Sequence, residues 1–380
     1  MSLYELIKRW NDTPIYHTLN KFLSVFVSEE WKTKRIIESE IGSRRKNIKK
    51  YINDWRLNGS ALANNLAEHM TPINQPLVII SEAPRSGGSL LSRLFDMHPQ
   101  CHAHPQELKI GYPYKSDWPE LDFAGDRQEW FVRLFEYISI QFLREGYSGG
   151  YTEAGKHQFV IVPALQYALF MHCLKGKPQV NYRAVFDAYM TSYFNAWLNN
   201  RNLEGDKRWV IGFTPDFSSS SENVARFFEA YPDGKMLSII REPKRWYHSA
   251  RNHHTAYKNI NFAMNTWCKS AEAMLDNFRK YPDKVVLISF DNLINNTKEA
   301  MTSICRELDI DWHDSLLTPT FNGHPIQPNS SFGLTTTAVS KEAVERKVNI
   351  PKDELLIIEK RTKELFQSVM ALTKTPVNIQ

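Results

Sequence analysis

The sequence predicts an α/β protein: a parallel sheet flanked by helices, with an N-terminal helical extension and a helical insertion. Three observations carry that reading. Short, continuously apolar runs recur at Leu77–Ile80, Trp209–Phe213, Lys235–Ile240 and Val285–Phe290, as expected of buried strands. Stretches of helical periodicity separate them, and alternating strands and helices imply parallel pairing through right-handed crossovers. The first run also leads into a turn with two adjacent glycines, Gly87 and Gly88, and then into leucines at helical spacing.

Residues 1–70 read as peripheral helices. Phe22, Leu23, Val25, Phe26 and Val27 form an apolar patch, and Lys32 to Lys50 is basic with isoleucines interspersed. The basic stretch reads as a solvated helix face, with an acidic partner or a membrane surface as the alternative. Pro72 and Pro76 punctuate the chain before the first strand, so a domain boundary is expected there, with the α/β domain spanning 71–380.

Between the first two apolar runs a helical insertion is expected at 112–205. Asp126 to Glu145 is periodic, with Trp130, Phe131, Leu134, Phe135, Ile138 and Phe142 on one side. A glycine-rich link, Gly146 to Gly155, precedes a second helix at Tyr182–Leu198. Their aromatic stripes read as core, with a ligand-stacking wall as the alternative, and such insertions often build substrate clefts. Beyond Trp209–Phe213, the serines 218–221 introduce a helix at Glu222–Tyr231. Helices are expected at Arg245–Arg251, Phe262–Tyr281, Lys298–Leu308 and Lys341–Met370.

Composition narrows the function. A net charge of +5 suits a small polyanionic ligand and falls short of a nucleic-acid footprint. Four scattered cysteines, Cys101, Cys173, Cys268 and Cys305, offer neither a zinc motif nor a disulfide framework, and no metal is expected. No segment approaches the ~18 apolar residues of a membrane helix. With charges at Glu5, Lys8 and Arg9 and no apolar run between them, no signal peptide is read, and a cytoplasmic location is expected.

The turn at Ala83-Pro84-Arg85-Ser86-Gly87-Gly88-Ser89 has the makings of an anion site. Small residues let backbone N–H groups approach a ligand, and Arg85 adds a permanent cation suited to phosphate or sulfate oxygens. A plain strand-to-helix turn with an exposed arginine is the bland alternative. The nucleoside-triphosphate loop is excluded on residues: it needs a lysine and a hydroxyl after its last glycine, and no lysine follows Gly87 or Gly88.

Pro84-Arg85-Ser86-Gly87-Gly88-Ser89-Leu90-Leu91, with Asp96-Met97-His98-Pro99 behind it, resembles the 5′-phosphosulfate loop of sulfotransferases that use 3′-phosphoadenosine 5′-phosphosulfate (PAPS). The tyrosylprotein and carbohydrate branches are nearer than the cytosolic one. The resemblance implies a P-loop-like sheet and PAPS as co-substrate. It makes Arg85, Ser86, Gly87, Gly88, Ser89 and Leu90 donor-binding residues. Gly88 stands where the family commonly has Thr, which removes one hydroxyl contact to the 5′-phosphate, and Ser89 keeps the other. Leu90 replaces the Trp of the cytosolic branch, so no adenine stacking is expected there.

A second stretch, Ile239-Ile240-Arg241-Glu242-Pro243-Lys244-Arg245-Trp246-Tyr247-His248-Ser249, puts an arginine at a strand's carboxyl end, where open α/β sheets bind ligands. Arg241 and Ser249 can reach one phosphate from two sides, although an arginine there can equally serve an ion pair. The stretch resembles the family's 3′-phosphate site, Arg-x-Pro with Ser at the same spacing. Phe290-Asp291-Asn292-Leu293 resembles its Tyr-Glu-Asp-Leu. Asn322-Gly323 through Phe332 resembles its C-terminal loop over the nucleotide.

Sulfuryl transfer needs in-line positioning, charge stabilisation at the leaving phosphate, and a base for the acceptor hydroxyl. Arg85 serves the second need. The resemblance points to Glu107 as the base, with Gln106 a possible register equivalent and His102 and His104 as rivals by their near-neutral titration. The expected function is therefore PAPS-dependent sulfuryl transfer to a hydroxyl of a carbohydrate, lipid or small molecule. A phosphoryl transferase and an inactive nucleotide-binding scaffold are the other readings.

Overall fold

The computed structural model describes residues 42–43, 46–50, 60–108, 117–147, 157–327 and 338–373. The chain divides into two units, Met1–Lys50 and Tyr51–Gln380, and the second carries all that follows. The expectations for most of residues 1–70, for the glycine-rich link and for the Asn329–Phe332 stretch fall outside the described residues.

A five-stranded parallel sheet forms the centre, in the order β2–β3–β1–β4–β5. Its strands are β1 (Leu77–Ser81), β2 (Cys101–Glu107), β3 (Trp209–Phe213), β4 (Lys235–Ile240) and β5 (Val285–Ser289). All of β1, β3 and β5 is buried, as continuous apolar runs covered by helices on both faces must be. The parallel sheet flanked by helices is thus as the sequence predicts.

One strand was not expected. Cys101–Glu107 carries two histidines and Pro105, a poor strand pattern, yet it pairs with β3 as the sheet's edge. An edge tolerates proline because one side of the strand has no ladder to complete. The register shifts between Ala103 and Glu107, so Pro105 sits in an irregularity of the pairing.

Chain order fixes where a ligand can enter. From β1 the chain runs outward to edge strand β2 and back to β3 on one side of β1, then crosses to β4 and β5 on the other. The connections diverge at β1, so the crevice lies at the carboxyl ends of β1 and its neighbours. Helix α1 (Ser60–His69) precedes β1, and α2 (Gly88–Leu94) follows it, burying Leu91 and Leu94 against the sheet.

Among the described residues the insertion holds four helices where two were expected: α3 (Arg127–Leu134), α4 (Ile138–Glu145), α5 (Pro163–Leu174) and α6 (Tyr182–Ala196). Extended Phe135 splits the first predicted helix into α3 and α4. α5 is apolar on most faces, which hides its period; it buries Leu165, Leu169, Phe170 and Leu174. Helices α7 (Ser221–Ala230), α8 (Pro243–His253) and α9 (Ile260–Lys280) follow the prediction closely, and Ser220 caps α7 through the Asn223 N–H. Phe290 leaves the strand and opens α10 (Phe290–Asn295), followed by α11 (Thr297–Leu308). The last predicted helix is two, α12 (Glu342–Glu345) and α13 (Lys352–Leu372), separated before Pro351.

Candidate active site

The loop after β1 turns sharply, and two residues adopt left-handed backbone: Arg85 at φ 78° and Gly87 at φ 114°. A side chain at Gly87 would be strained by that conformation, and its Cβ would lie 2.3 Å from the Phe290 ring. Arg85 has no such exemption, so its geometry must be held from outside. Arg241 does this: one guanidinium nitrogen donates to the Arg85 carbonyl at 3.1 Å, and another to the Ala343 carbonyl at 2.9 Å. The Trp246 indole N–H donates to the Pro84 carbonyl at 2.9 Å. The two stretches singled out in the sequence are therefore bonded to each other across the carboxyl ends of β1 and β4.

Arg241 is 9% exposed, and its guanidinium stands 4.6 Å from the Phe290 ring centre. Burial pulls its pKa down to about 10, opposed by the neighbouring Asp291 carboxylate. Its Nε is buried with no hydrogen-bond partner among the described residues. Asp291 pairs with Arg245 at 3.2 Å. The Phe290-Asp291 stretch thus lies beside both the loop after β1 and the end of β4. Ser249 is buried on α8, about two turns beyond Arg241's strand.

Gly88 meets a neighbour that sequence reasoning missed. Its N–H donates to a Glu82 carboxylate oxygen at 2.5 Å. A Cβ on Gly88 would lie 2.4 Å from the Phe213 ring and 2.8 Å from the Glu82 carboxyl carbon. The glycine that departs from the resembling loops is thus required by Glu82 and Phe213. Glu82 is 2% exposed, and burial pushes its pKa up to about 8, against the pull of the Gly88 N–H and Arg85. A charged residue just past a buried strand, beyond Ser81 and the apolar run Leu77–Ile80, was the available signal.

Ser86 is buried in the loop, and Ser89 and Leu90 are half-buried on the first turn of α2. Glu107 ends β2 opposite Phe213, half-buried at the carboxyl edge of the sheet. The histidines lie deeper. His102 packs 5.3 Å from the Phe194 ring, and burial lowers its pKa to about 3. The His104 Nδ1–H donates to the Gln106 carbonyl at 2.9 Å, and the ring lies 3.6 Å from the Glu136 carboxylate. Gln106 itself bonds Glu136, so it is tied into a buried network with the insertion. Asn322-Gly323 lies at the far end of α2, where Asp96 accepts the Gly323 N–H at 2.9 Å.

The family model described as the sulfotransferase family matches residues 76–314. The chain belongs to the sulfotransferase family. Solved structures to which this sulfotransferase is similar include the sulfotransferase domain from the curacin biosynthetic pathway, at 13% identity over 76% of this chain and 98% of that one, TM-score 0.43. The sulfotransferase domain of the Synechococcus PCC 7002 olefin synthase is 17% identical over 76% and 95% of the two chains, TM-score 0.42. Mouse sulfotransferase SULT7A1 complexed with PAP is 12% identical over 82% and 90%, TM-score 0.33. No curated protein sequence matches the chain. Among the described residues no helix is long and apolar enough to cross a membrane, and no cluster of metal-ligating side chains occurs.

Proposed function

We propose that this sulfotransferase moves the sulfuryl group of PAPS to a hydroxyl of a carbohydrate, lipid or small-molecule acceptor. The observation that carries the reading is the bonding of Arg241 and Trp246 to the carbonyls of Arg85 and Pro84. It joins two anion-binding stretches, far apart in sequence, at the one crevice the sheet order provides. The residues present fit such a donor. Arg241 keeps a buried guanidinium nitrogen without a partner among the described residues, and the loop is built on two positions where a Cβ does not fit.

PAPS supplies an activated sulfuryl group and leaves as 3′,5′-ADP. In this reading Arg85 and the loop N–H groups hold the 5′-phosphosulfate and meet charge that grows on the leaving phosphate. Arg241 and Ser249 hold the 3′-phosphate, the guanidinium giving a charge-assisted bond and the hydroxyl a neutral one. Glu107 takes the acceptor's proton at a carboxylate oxygen. Its half-buried place at the sheet's carboxyl edge supports it over His102 and His104, both of which are enclosed. No metal is needed, because Arg85 and Arg241 supply the positive charge. We place the reaction in the cytoplasm, a reading supported by the four cysteines all being free thiols.

Turnover of labelled PAPS against a panel of alcohols tests the proposal directly. Binding of 3′,5′-ADP much tighter than AMP or ATP is expected, and equal affinity for all three overturns it.

A further inference from the structure

Glu82 is an anomaly in an anion site. Its carboxyl lies inside the phosphate loop, takes the Gly88 N–H at 2.5 Å, and fills the space a side chain at position 88 would occupy. Its own carbonyl is pinned by the Asp216 N–H at 2.9 Å, so the residue is held from both the loop and the β3 turn. A carboxylate there opposes any phosphate or sulfate entering the loop, in a low-dielectric pocket where like charges repel strongly.

We propose that Glu82 is a donor-binding residue that works as a neutral carboxylic acid, so that binding of the anionic donor requires a proton on Glu82. The inference rests on the PAPS reading above. Where Glu82 is ionised, one proton passes from solvent to its carboxylate as the donor binds, and no other bond changes. The neutral carboxyl accepts the Gly88 N–H on one oxygen and carries on the other an O–H able to meet a ligand oxygen. It thereby supplies the hydroxyl that Gly88 lacks. A carboxyl can do this only if it stays protonated near neutrality, and burial holds Glu82 to a pKa of about 8.

The groups facing Glu82 are Arg85 on the loop, Asp216 beyond β3 and Arg241 at the end of β4, with Asp291 and Arg245 behind Arg241. The two loop-facing arginines favour the ionised form and Asp216 the neutral one; desolvation outweighs them. Donor anions add negative charge and raise the carboxyl's proton affinity further. Because the protonated form binds, affinity is flat below about pH 8 and falls about tenfold per pH unit above it.

The test is calorimetry of 3′,5′-ADP binding to the full chain at pH 7, 8 and 9, in buffers of differing ionisation enthalpy. Wild-type protein should bind about tenfold more weakly at pH 9 than at pH 7, with proton uptake approaching one per site at pH 9. Glu82→Gln keeps the shape, the acceptor and a donor without the titration. It should bind with less than threefold change over the same range and take up no proton. Tight wild-type binding at pH 9 with no proton uptake overturns the Glu82 proposal and leaves the donor reading standing. Proton uptake that persists in Glu82→Gln also overturns it, by locating the proton elsewhere. Absence of 3′,5′-ADP binding at every pH overturns the donor reading and this inference with it. The wild-type measurement decides even if the variant fails to fold.

Discussion

The indole N–H of Trp246 donates to the carbonyl of Pro84 at 2.9 Å, tying the helix after β4 to the loop after β1. Trp246 is fully buried and Pro84 half-buried, so the bond gives the enclosed indole N–H its partner. Arg241, five residues earlier, makes the parallel link to Arg85. The loop's left-handed Arg85 is therefore held by the element proposed to bind the other end of the donor.

Trp246→Phe keeps the ring packing and removes the donor. It should cost about 0.5–1.5 kcal/mol of stability, the net worth of one partly buried hydrogen bond. Denaturant melts measure the loss, and 3′,5′-ADP affinity should fall with it. Arg241→Ala should go further and erase the preference for 3′,5′-ADP over AMP, a loss of ~2–4 kcal/mol in calorimetry. Retention of that preference would separate Arg241 from the 3′-phosphate.

Glu107→Gln preserves size but cannot take a proton, so turnover should drop roughly a hundredfold or more. Affinity for 3′,5′-ADP should stay within a few-fold, because the carboxylate is proposed to touch the acceptor alone. Arg85→Ala should harm binding and turnover together. Near-normal turnover in Glu107→Gln, alongside loss in His104→Ala, would move the base to the histidine.

Gly88→Thr tests the loop's departure from its relatives. The new Cβ would crowd Phe213 and the Glu82 carboxyl, so a loss of about 1–3 kcal/mol is expected in thermal or denaturant melts. Adding Glu82→Ser should recover part of that loss, giving a double change cheaper than the sum of its parts. Strict additivity would mean that Glu82 is not what forbids a side chain at 88.

Stability should depend on pH from two sides. His102 stays neutral in the folded protein, with a pKa near 3, while the unfolded chain takes a proton from about 6.5 downward. Stability is then lost as pH falls between those values, by on the order of a few kcal/mol. Neither ring nitrogen has a partner among the described residues, so His102→Leu should flatten the acid limb of the melting curve without lowering stability at pH 7. Glu82 acts with the opposite sign. Its folded pKa is raised from 4.5 to about 8, so its contribution is lost as pH rises through that window, and Glu82→Gln should flatten that limb.

The sequence by itself determined the parallel sheet, four of its five strands, and the loop and strand-end stretches that meet at the site. Those signals are local: a buried parallel strand must be continuously apolar, and a tight turn beneath a ring, as at Gly87 under Phe290, admits only glycine. Tertiary structure decided the rest. Cys101–Glu107 became a strand because an edge beside β3 was free to pair, which no pattern within those residues announces. Glu82 lies beside Gly88, Asp216 and Arg241, and its proton affinity comes from being enclosed by them. His102 and His104 read as bases while their surroundings were unknown, but packing against Phe194 and Tyr193 enclosed both. Residue type sets what a side chain can do, and burial, a property of the whole fold, sets which protonation state it holds while doing it.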